Sequence, residues 1–457
     1  MAKKPKQMYT CPHCGYQSPK WFGKCPDCGE FIEPVEETLS PRKKATAAVA
    51  PGSTPLPLSQ ISTGEKERRL PTGIAELDRV LGGGIFPASV VLLAGEPGIG
   101  KSTLMLQMLL ELEARKQKTL YISAEESLQQ IRHRADRLRA IAAGEVLVLA
   151  ETELPAIEYH LEQVRPAVVV VDSVQAIYNP EFSGAPGNVG QVRECAARLF
   201  QMAKQQGFSL FLVGHVTKEG AVAGPKILEH LVDVVLYFDA NTEQHRILRS
   251  MKNRFGAAQE IGVFEMSATG LKEVTDVSGL FLTPHQRPKV GSSIVCAYEG
   301  SRPLLVEVQA LVSRSGYGTP QRTVSGFDYR RLALILAILE KYSRQDFGVY
   351  DVFVKIAGGL RVNDPAIDLG VAAALYSSRQ NQPLDADAVY IGELGLGGEV
   401  RPVSFVEKRL QEAHKMGFKQ AYLPVQNLPD PSERKKIKML LSPVKEVGEL
   451  LLPVSRG

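Results

Sequence analysis

Apolar residues gather into short continuous runs that recur along the first half of the chain. "VVLLA" (90–94), "VLVLA" (146–150), "AVVVV" (167–171) and "FSLFLV" (208–213) each end at a glycine or an acid. Runs of that length, bounded by turn or charged residues, read as strands buried on both faces of a parallel sheet. The segment after the first run, "KSTLMLQMLLELEA", is apolar nearly all round (Leu104, Met105, Leu106, Met108, Leu109, Leu110), which predicts a buried helix. Repetition of the pattern predicts an α/β domain over 61–275, with ligands gathered at the carboxyl ends of its strands. Periodicity vanishes in "EPVEETLSPRKKATAAVAPGSTPLPLSQ", so 36–60 reads as a flexible linker. From about 285 the pattern changes again. "GSSIVCAYEGSRPLLVEVQALVS" has strand character, "YRRLALILAILEKYS" is an amphipathic helix and "DVFVKIAGG" a strand, which predicts a separate α+β domain over 285–457.

Composition narrows the class. A chain of 457 residues is too long for one ordinary core, and 44% hydrophobic content with mean hydropathy near zero suits globular domains. No apolar run approaches the roughly 20 residues a spanning helix needs, and the basic start "MAKKPKQMYT" leads into no apolar segment, so the expected location is cytoplasmic, with no membrane partner. A net charge of +4 does not by itself indicate nucleic acid, though it leaves room for local basic patches.

Four of the six cysteines fall in "CPHCGYQSPKWFGKCPDCGE". Cys11, Cys14, Cys25 and Cys28 form two C-x-x-C knuckles, each followed by a glycine, and four thiolates are the tetrahedral set of a structural Zn²⁺ site. Residues 1–35 are therefore expected to be a zinc ribbon, with His13 a bystander. Trp21 and Phe22, on the spacer, either pack the small core or form a stacking or partner surface.

The most specific signal is Gly95-Glu96-Pro97-Gly98-Ile99-Gly100-Lys101-Ser102-Thr103, a G-x-x-x-x-G-K-S phosphate loop with a strand before it and a helix after. Its amides and the helix N-terminus suit ATP phosphates, Lys101 the β- and γ-phosphates, and Ser102 an Mg²⁺ ion. Asp172 ends the run "VVVVD", the Walker B setting for the Mg²⁺ shell. Glu125 and Glu126 end "TLYISAEES"; one acid either orients the attacking water or sits favourably at a helix N-terminus. His215 ends "FSLFLVGH" and either packs there or touches the γ-phosphate.

"LPTGIAELDRVLGGGIFPASVVLLAGEPGIGKSTL" with "YISAEES" and "VVVVDSVQAI" resembles the RecA-type ATPase core. With the zinc knuckle and "KNRFG", the whole chain closely resembles the bacterial RadA (Sms) family of DNA-repair proteins. That resemblance implies a RecA fold, ATP hydrolysis, a homo-oligomeric ring such as a hexamer, and action on single-stranded and branched DNA in recombination. It also implies RecA recombinase or a replicative helicase as protein partners, Glu125 as the water-activating acid and His215 as a γ-phosphate sensor. In RecA-like proteins the loops corresponding to 178–194 and 217–230 face a central channel. Arg193, Lys218 and Lys226 are then candidate phosphate contacts, and Tyr178 and Phe182 candidate stacking platforms, unless both are ordinary surface loops.

The C-terminal order resembles the proteolytic domain of Lon-type proteases, whose chemistry needs a Ser nucleophile and a Lys base. The nucleophile position carries Ala366, and the lysine position falls on Glu407, with Lys408 next to it. A protease fold without protease activity is expected. The domain could serve assembly, or bind DNA through Arg314, Arg322, Arg330 and Arg331, unless these are a solvated basic face.

"MKNRFGAAQE" (251–260) places two cations, Lys252 and Arg254, far in sequence from the phosphate loop. In a RecA-type ring, where nucleotide lies between subunits, they would act in trans on the neighbour's γ-phosphate. Phe255 would brace them and Gly256 would let the chain turn away. The rival readings place the cations on DNA or at a solvated strand end.

Overall fold

The computed structural model describes residues 6–11, 17–18, 20–26, 29, 31, 35–39, 57, 68–138, 146–215, 225–240, 244–282, 289–316, 318–434 and 437–450. Cys14, Cys28, Lys218 and nearly all of the 36–60 linker lie outside them, as does the side chain of Lys226. The chain divides into two compact units, Met1–Ala240 with Gln244–Glu273, and Asn241–Glu243 with Val274–Gly457. Among the described residues no helix is long and apolar enough to cross a membrane.

At the N-terminus, β1 (Lys6–Thr10), β2 (Gln17–Ser18) and β3 (Val35–Leu39) form a small antiparallel sheet with β1 in the middle. Helix α1 (Ala75–Leu81) precedes the phosphate-loop strand β4 (Val90–Gly95) and helix α2 (Lys101–Ala114). The alternating pattern continues through β5 (Thr119–Ser123), α3 (Leu128–Arg137), β6 (Leu147–Ala150), α4 (Leu154–Val164), β7 (Val168–Asp172), α5 (Val189–Gln206) and β8 (Ser209–His215). After the short α6 (Pro225–Glu229) come β9 (Val234–Ala240), β10 (His245–Asn253), β11 (Ile261–Ser267) and β12 (Gly270–Glu273).

These strands make one nine-stranded sheet in the order β12-β11-β10-β9-β4-β8-β7-β5-β6. The six from β9 to β6 run parallel; β10, β11 and β12 are antiparallel. Alternation along each buried strand splits its side chains between two cores, because successive Cβ atoms point to opposite faces. Val91 and Leu93 of β4 join Leu104, Met105 and Met108 of α2 on one face. Val90 and Leu92 join Ile157 and Leu161 of α4 and Leu199 of α5 on the other. Burial of Leu104, Met105, Leu106, Met108 and Leu109 matches the expectation from their all-round apolar pattern.

The second unit holds α7 (Val277–Phe281), β13 (Ser292–Glu299), β14 (Arg302–Arg314), β15 (Arg322–Ser325), α8 (Tyr329–Ser343), β16 (Tyr350–Ile356), α9 (Asp368–Gln380), β17 (Ala388–Tyr390), β18 (Glu393–Leu394), β19 (Val400–Arg401), α10 (Val406–Lys415), β20 (Gln420–Pro424) and β21 (Leu440–Val444). Seven of its strands form a mixed sheet, β15-β16-β14-β13-β17-β20-β21, with α9 packed on β13 and β14. Its α+β character is as anticipated, but the unit begins at Val274 rather than 285, because α7 packs on β14.

Half of "KNRFG" is structural. Asn253 Nδ2 donates to the carbonyls of Val80 (3.3 Å) and Leu81 (3.2 Å), capping the end of α1. The Phe255 ring stacks on Phe86, centroids 4.0 Å apart. The need at Gly256 is close approach rather than the turn expected of it: a Cβ there would meet the Gly82 Cα at 3.1 Å. Phe255→Ala is expected to lower unfolding stability by about 2 kcal/mol, since the ring is only part-buried, measured by denaturant titration. No change would mean that the stack contributes nothing.

Candidate nucleotide site and its distant cations

The phosphate loop is shaped by what surrounds it. A Cβ on Gly95 would meet the Phe238 carbonyl oxygen at 2.4 Å, and Gly100, the α2 N-cap, has φ +113. Neither position accepts a side chain without displacing β9 or the loop. Lys101 follows at the helix start, 3% exposed, and its Nζ donates to the carbonyls of Gly95 (2.8 Å) and Glu96 (2.9 Å). Burial pulls its pKa down to about 8, against the opposing pull of Asp172 and Glu125.

Register brings the acids and the histidine to the same edge. Gly95 pairs with His215, and Ser123 with Asp172. Lys101 Nζ lies 3.1 Å from His215 Nδ1, and His215 Nε2 lies 3.5 Å from Glu125 Oε1. Because an ammonium only donates, Nδ1 accepts and Nε2 carries the proton toward Glu125. The Ser173 hydroxyl also donates to Glu125. The His215 contact first, and then Ser173, hold the Glu125 carboxyl down at about 2 despite partial burial. Asp172 accepts from Tyr121 Oη at 2.5 Å. Burial, reinforced by Asp172, pushes that phenol well above its usual pKa.

Glu125 and Glu126 separate here. Glu126 Oε1 pairs with Arg134 at 2.5 Å, and its backbone is held by Ser123 Oγ. The start of α3 needs neither acid, because Ser127 caps it in a box with Gln130. A cavity of about 370 Å³ is lined by Pro97, Gly98 and the stretch from Gly100 to Thr103 together with Ser123, Glu125, Glu126, Asp172, His215, Arg134 and Arg137. Ser173, Tyr121, Arg134 and Arg137 were missed in the sequence. A hydroxyl within or just after an apolar strand is the only signal Tyr121 and Ser173 carry, and the arginines carry none. Gln175 was missed too: its amide brackets the His215 backbone, donating to its carbonyl (3.0 Å) and accepting from its N–H (3.2 Å).

The stretch from Tyr178 to Arg193 is ordered by Gln191, 1% exposed, which donates to the carbonyls of Asn179 (3.1 Å), Phe182 (2.7 Å) and Gly184 (3.1 Å). Tyr178 Oη donates to Glu153 at 2.7 Å, and Phe182 lies against Gly190. Arg193 is exposed.

Lys252 and Arg254 stand apart from this site. Lys252 pairs with Val235 and Val235 with Leu92, while Arg254 N–H donates to the Asp233 carbonyl and Asp233 N–H to that of Val90. Arg254 is thus level with the first residue of β4, about 16 Å along the strand from Gly95. Lys252, level with Leu92, is about 10 Å from Gly95, and neither side chain spans its distance. Lys252 Nζ donates to the carbonyls of Glu229 (2.7 Å) and Val232 (2.8 Å). Burial, then repulsion from Arg254, lowers its pKa.

In the N-terminal cysteine segment, Cys11 and Cys25 are buried while Trp21 and Phe31 are 63% and 80% exposed. Trp21 therefore does not pack a core, Phe22 is half-buried, and the two buried thiols fit a zinc-held ribbon. Cys14 and Cys28 would complete the set but lie outside the described residues. In the second unit Ala366 is fully buried, packed with Cys296, Leu305, Val389 and Leu410. Glu407 and Lys408 are exposed; the cation beside Ala366 is the buried Arg409, whose Nη1 lies 2.6 Å from Asp364 Oδ2. Arg322 donates to the Phe347 carbonyl (2.7 Å), and Arg331 pairs with Asp368 (2.6 Å), so both are held within the unit, whereas Arg314 and Arg330 are exposed.

A glycine-lined phosphate loop and two strand-end acids, gathered at one edge of a parallel sheet, define a RecA-type P-loop ATPase. Three family models match the chain: "AAA domain" over 55–221, "Subunit ChlI of Mg-chelatase" over 316–427 and "Rubredoxin metal binding domain" over 9–31. DNA repair protein RadA of Listeria monocytogenes is 45% identical, over 99% of both chains. Those of Bacillus subtilis (45%, over 96% of both) and Pseudomonas aeruginosa (47%, over 93% of this chain and 94% of that one) are similar. The chain belongs to the RadA family: a RecA-type ATPase core with an N-terminal zinc ribbon and a C-terminal Lon-like domain.

Proposed function

We propose that this chain is a DNA-repair motor. Subunits assemble into a ring, hexameric in the RecA manner, and hydrolyse ATP between neighbours. They advance on single-stranded DNA, driving branch migration or strand extension of recombination intermediates. The observation that carries this reading is the separation of Lys252 and Arg254 from their own phosphate loop. Two cations at the far sheet edge serve hydrolysis only if a second copy presents its nucleotide to them.

Within one subunit Lys101 would meet the β- and γ-phosphates. Ser102 and Asp172 would hold Mg²⁺, which supplies charge neutralisation on the phosphates when bound. Glu125, kept ionised by His215 and Ser173, would accept a proton from the attacking water. His215, between Lys101 and Glu125, would report the γ-phosphate to both. Tyr178, Phe182 and Arg193, with Lys218 and Lys226, would contact the strand. The Lon-like unit would serve assembly or DNA binding through Arg314 and Arg330. Ala366 is buried and has no nucleophilic side chain, and Glu407 and Lys408 are exposed, which supports a proteolytically inactive domain.

The test is strand displacement on 5′- and 3′-tailed forks beside DNA-stimulated ATPase. Displacement on one tail polarity, dependent on hydrolysable ATP, is the expected result. DNA binding and assembly with equal outcomes in a non-hydrolysable analogue would replace the motor by an ATP-switched scaffold that recruits repair partners.

A further inference from the structure

Lys252 and Arg254 share one seat, the segment from Glu229 to Asp233. Lys252 spends two of its three donors on the carbonyls of Glu229 and Val232. Arg254 is 57% exposed, with Nη1 3.6 Å from Asp233 Oδ1. The Asp233 carboxylate is itself 4% exposed and does more than neutralise one arginine. Its Oδ2 accepts from Lys204 Nζ (2.7 Å) and from the N–H of Val90 (3.0 Å), the first residue of β4. One buried acid therefore ties the first residue of the phosphate-loop strand to a cation that has no use for that subunit's own nucleotide. Just before Lys252 the β9–β10 register slips between Ser250 and Lys252, leaving Met251 61% exposed. A bulge of that kind re-aims the next side chain, here onto the seat.

We infer that Asp233 is a positioning residue for hydrolysis in the neighbouring subunit: it fixes the direction of the Arg254 guanidinium and offsets the repulsion between Arg254 and Lys252. This rests on the reading of those two cations as trans-acting. Three cations, Lys204, Lys252 and Arg254, surround this carboxylate, and only Glu229, engaged by Tyr237 Oη at 3.1 Å, carries another negative charge on the seat. Without Asp233 the like charges repel and Arg254 loses its only charged anchor among the described contacts.

Asp233→Asn keeps the size and an amide oxygen that still accepts from Val90, so the strand start keeps its hydrogen bond. Turnover by the assembled full chain is expected to fall about 30-fold, with nucleotide and DNA binding unchanged. The decisive measurement mixes subunits. Lys101→Ala subunits have no working phosphate loop but keep intact cations; Asp233→Asn subunits have the reverse. Mixed assemblies should recover ATPase well above that of either variant alone, as should mixtures of Lys252→Ala with Lys101→Ala. Recovery with Lys252→Ala but not with Asp233→Asn overturns the role of Asp233 and leaves the trans reading standing. Recovery with neither removes the trans reading itself. Lys204→Gln strips the same carboxylate of its structural partner and should keep turnover within about threefold. A loss as large as that of Asp233→Asn would make the cluster a structural staple and sink the proposal.

Discussion

Glu125→Gln is expected to lower ATP turnover about 100- to 1,000-fold while ATP affinity stays within about threefold. The amide keeps the size of the side chain and can accept from Ser173, but it cannot take a proton from water. Its neighbour cannot substitute, because Glu126 is committed to Arg134 and anchored by Ser123. Phosphate release and nucleotide-analogue binding, measured side by side, separate the two effects; turnover close to wild type would remove the assignment. The carboxyl also carries a pH signature. Its folded pKa of about 2 lies below the ordinary 4.5, so its contribution to stability is complete above pH 4.5 and is lost as pH falls toward about 2. Wild type should lose stability more steeply than Glu125→Gln across that window. The difference should be small, because the side chain is 48% exposed and solvent screens it. No acid limb of activity above pH 4.5 should come from this group.

Lys252→Ala is expected to abolish turnover by the assembled protein, by about 1,000-fold, and strand displacement with it, while the subunit stays folded and binds nucleotide. The lost bonds to the carbonyls of Glu229 and Val232 lie at a part-exposed site where water can replace them, so the melting temperature should move little. Two outcomes discriminate between polyanions. Intact DNA binding with lost turnover identifies the γ-phosphate of a neighbour as the target. Intact ATPase with lost DNA binding moves the motif onto DNA. Turnover and DNA binding both unchanged would leave Lys252 a structural cap on the segment after α6.

Much of the site was legible because it is contiguous. The nine residues from Gly95 to Thr103 carry strand, turn and helix start in one stretch, and backbone conformation there is dictated by local glycines. Asp172 and His215 were legible as the ends of apolar runs, since parallel strands deliver their carboxyl ends to one edge. The choice between Glu125 and Glu126 was not, because adjacent residues differ only in the direction their side chains take. That direction is decided by Ser173, just after β7, and His215 on β8 for one acid and by Arg134 on α3 for the other. Arg322 and Arg331 looked like a basic face, yet both turn inward to a carbonyl and a buried acid that lie elsewhere in the fold. Glu407 and Lys408 face away from the domain's core, and the inward cation of α10 is Arg409, paired with Asp364, because helix phase sets which residue points inward.

The sequence alone determined the phosphate loop, the alternation of buried strands and helices, and the thiol pairs. Each is a property of a short segment, set by side-chain type, backbone freedom and period. Only the tertiary structure decided where "KNRFG" stands. Because β10 runs antiparallel to β9, a motif at its end is carried to the sheet edge opposite the nucleotide, onto the seat formed by Glu229, Val232 and Asp233. The β9–β10 hairpin is local, but the pairing of β9 with β4, Val234 beside Val91, joins segments more than 100 residues apart, and that relation sets where the motif stands relative to the phosphate loop.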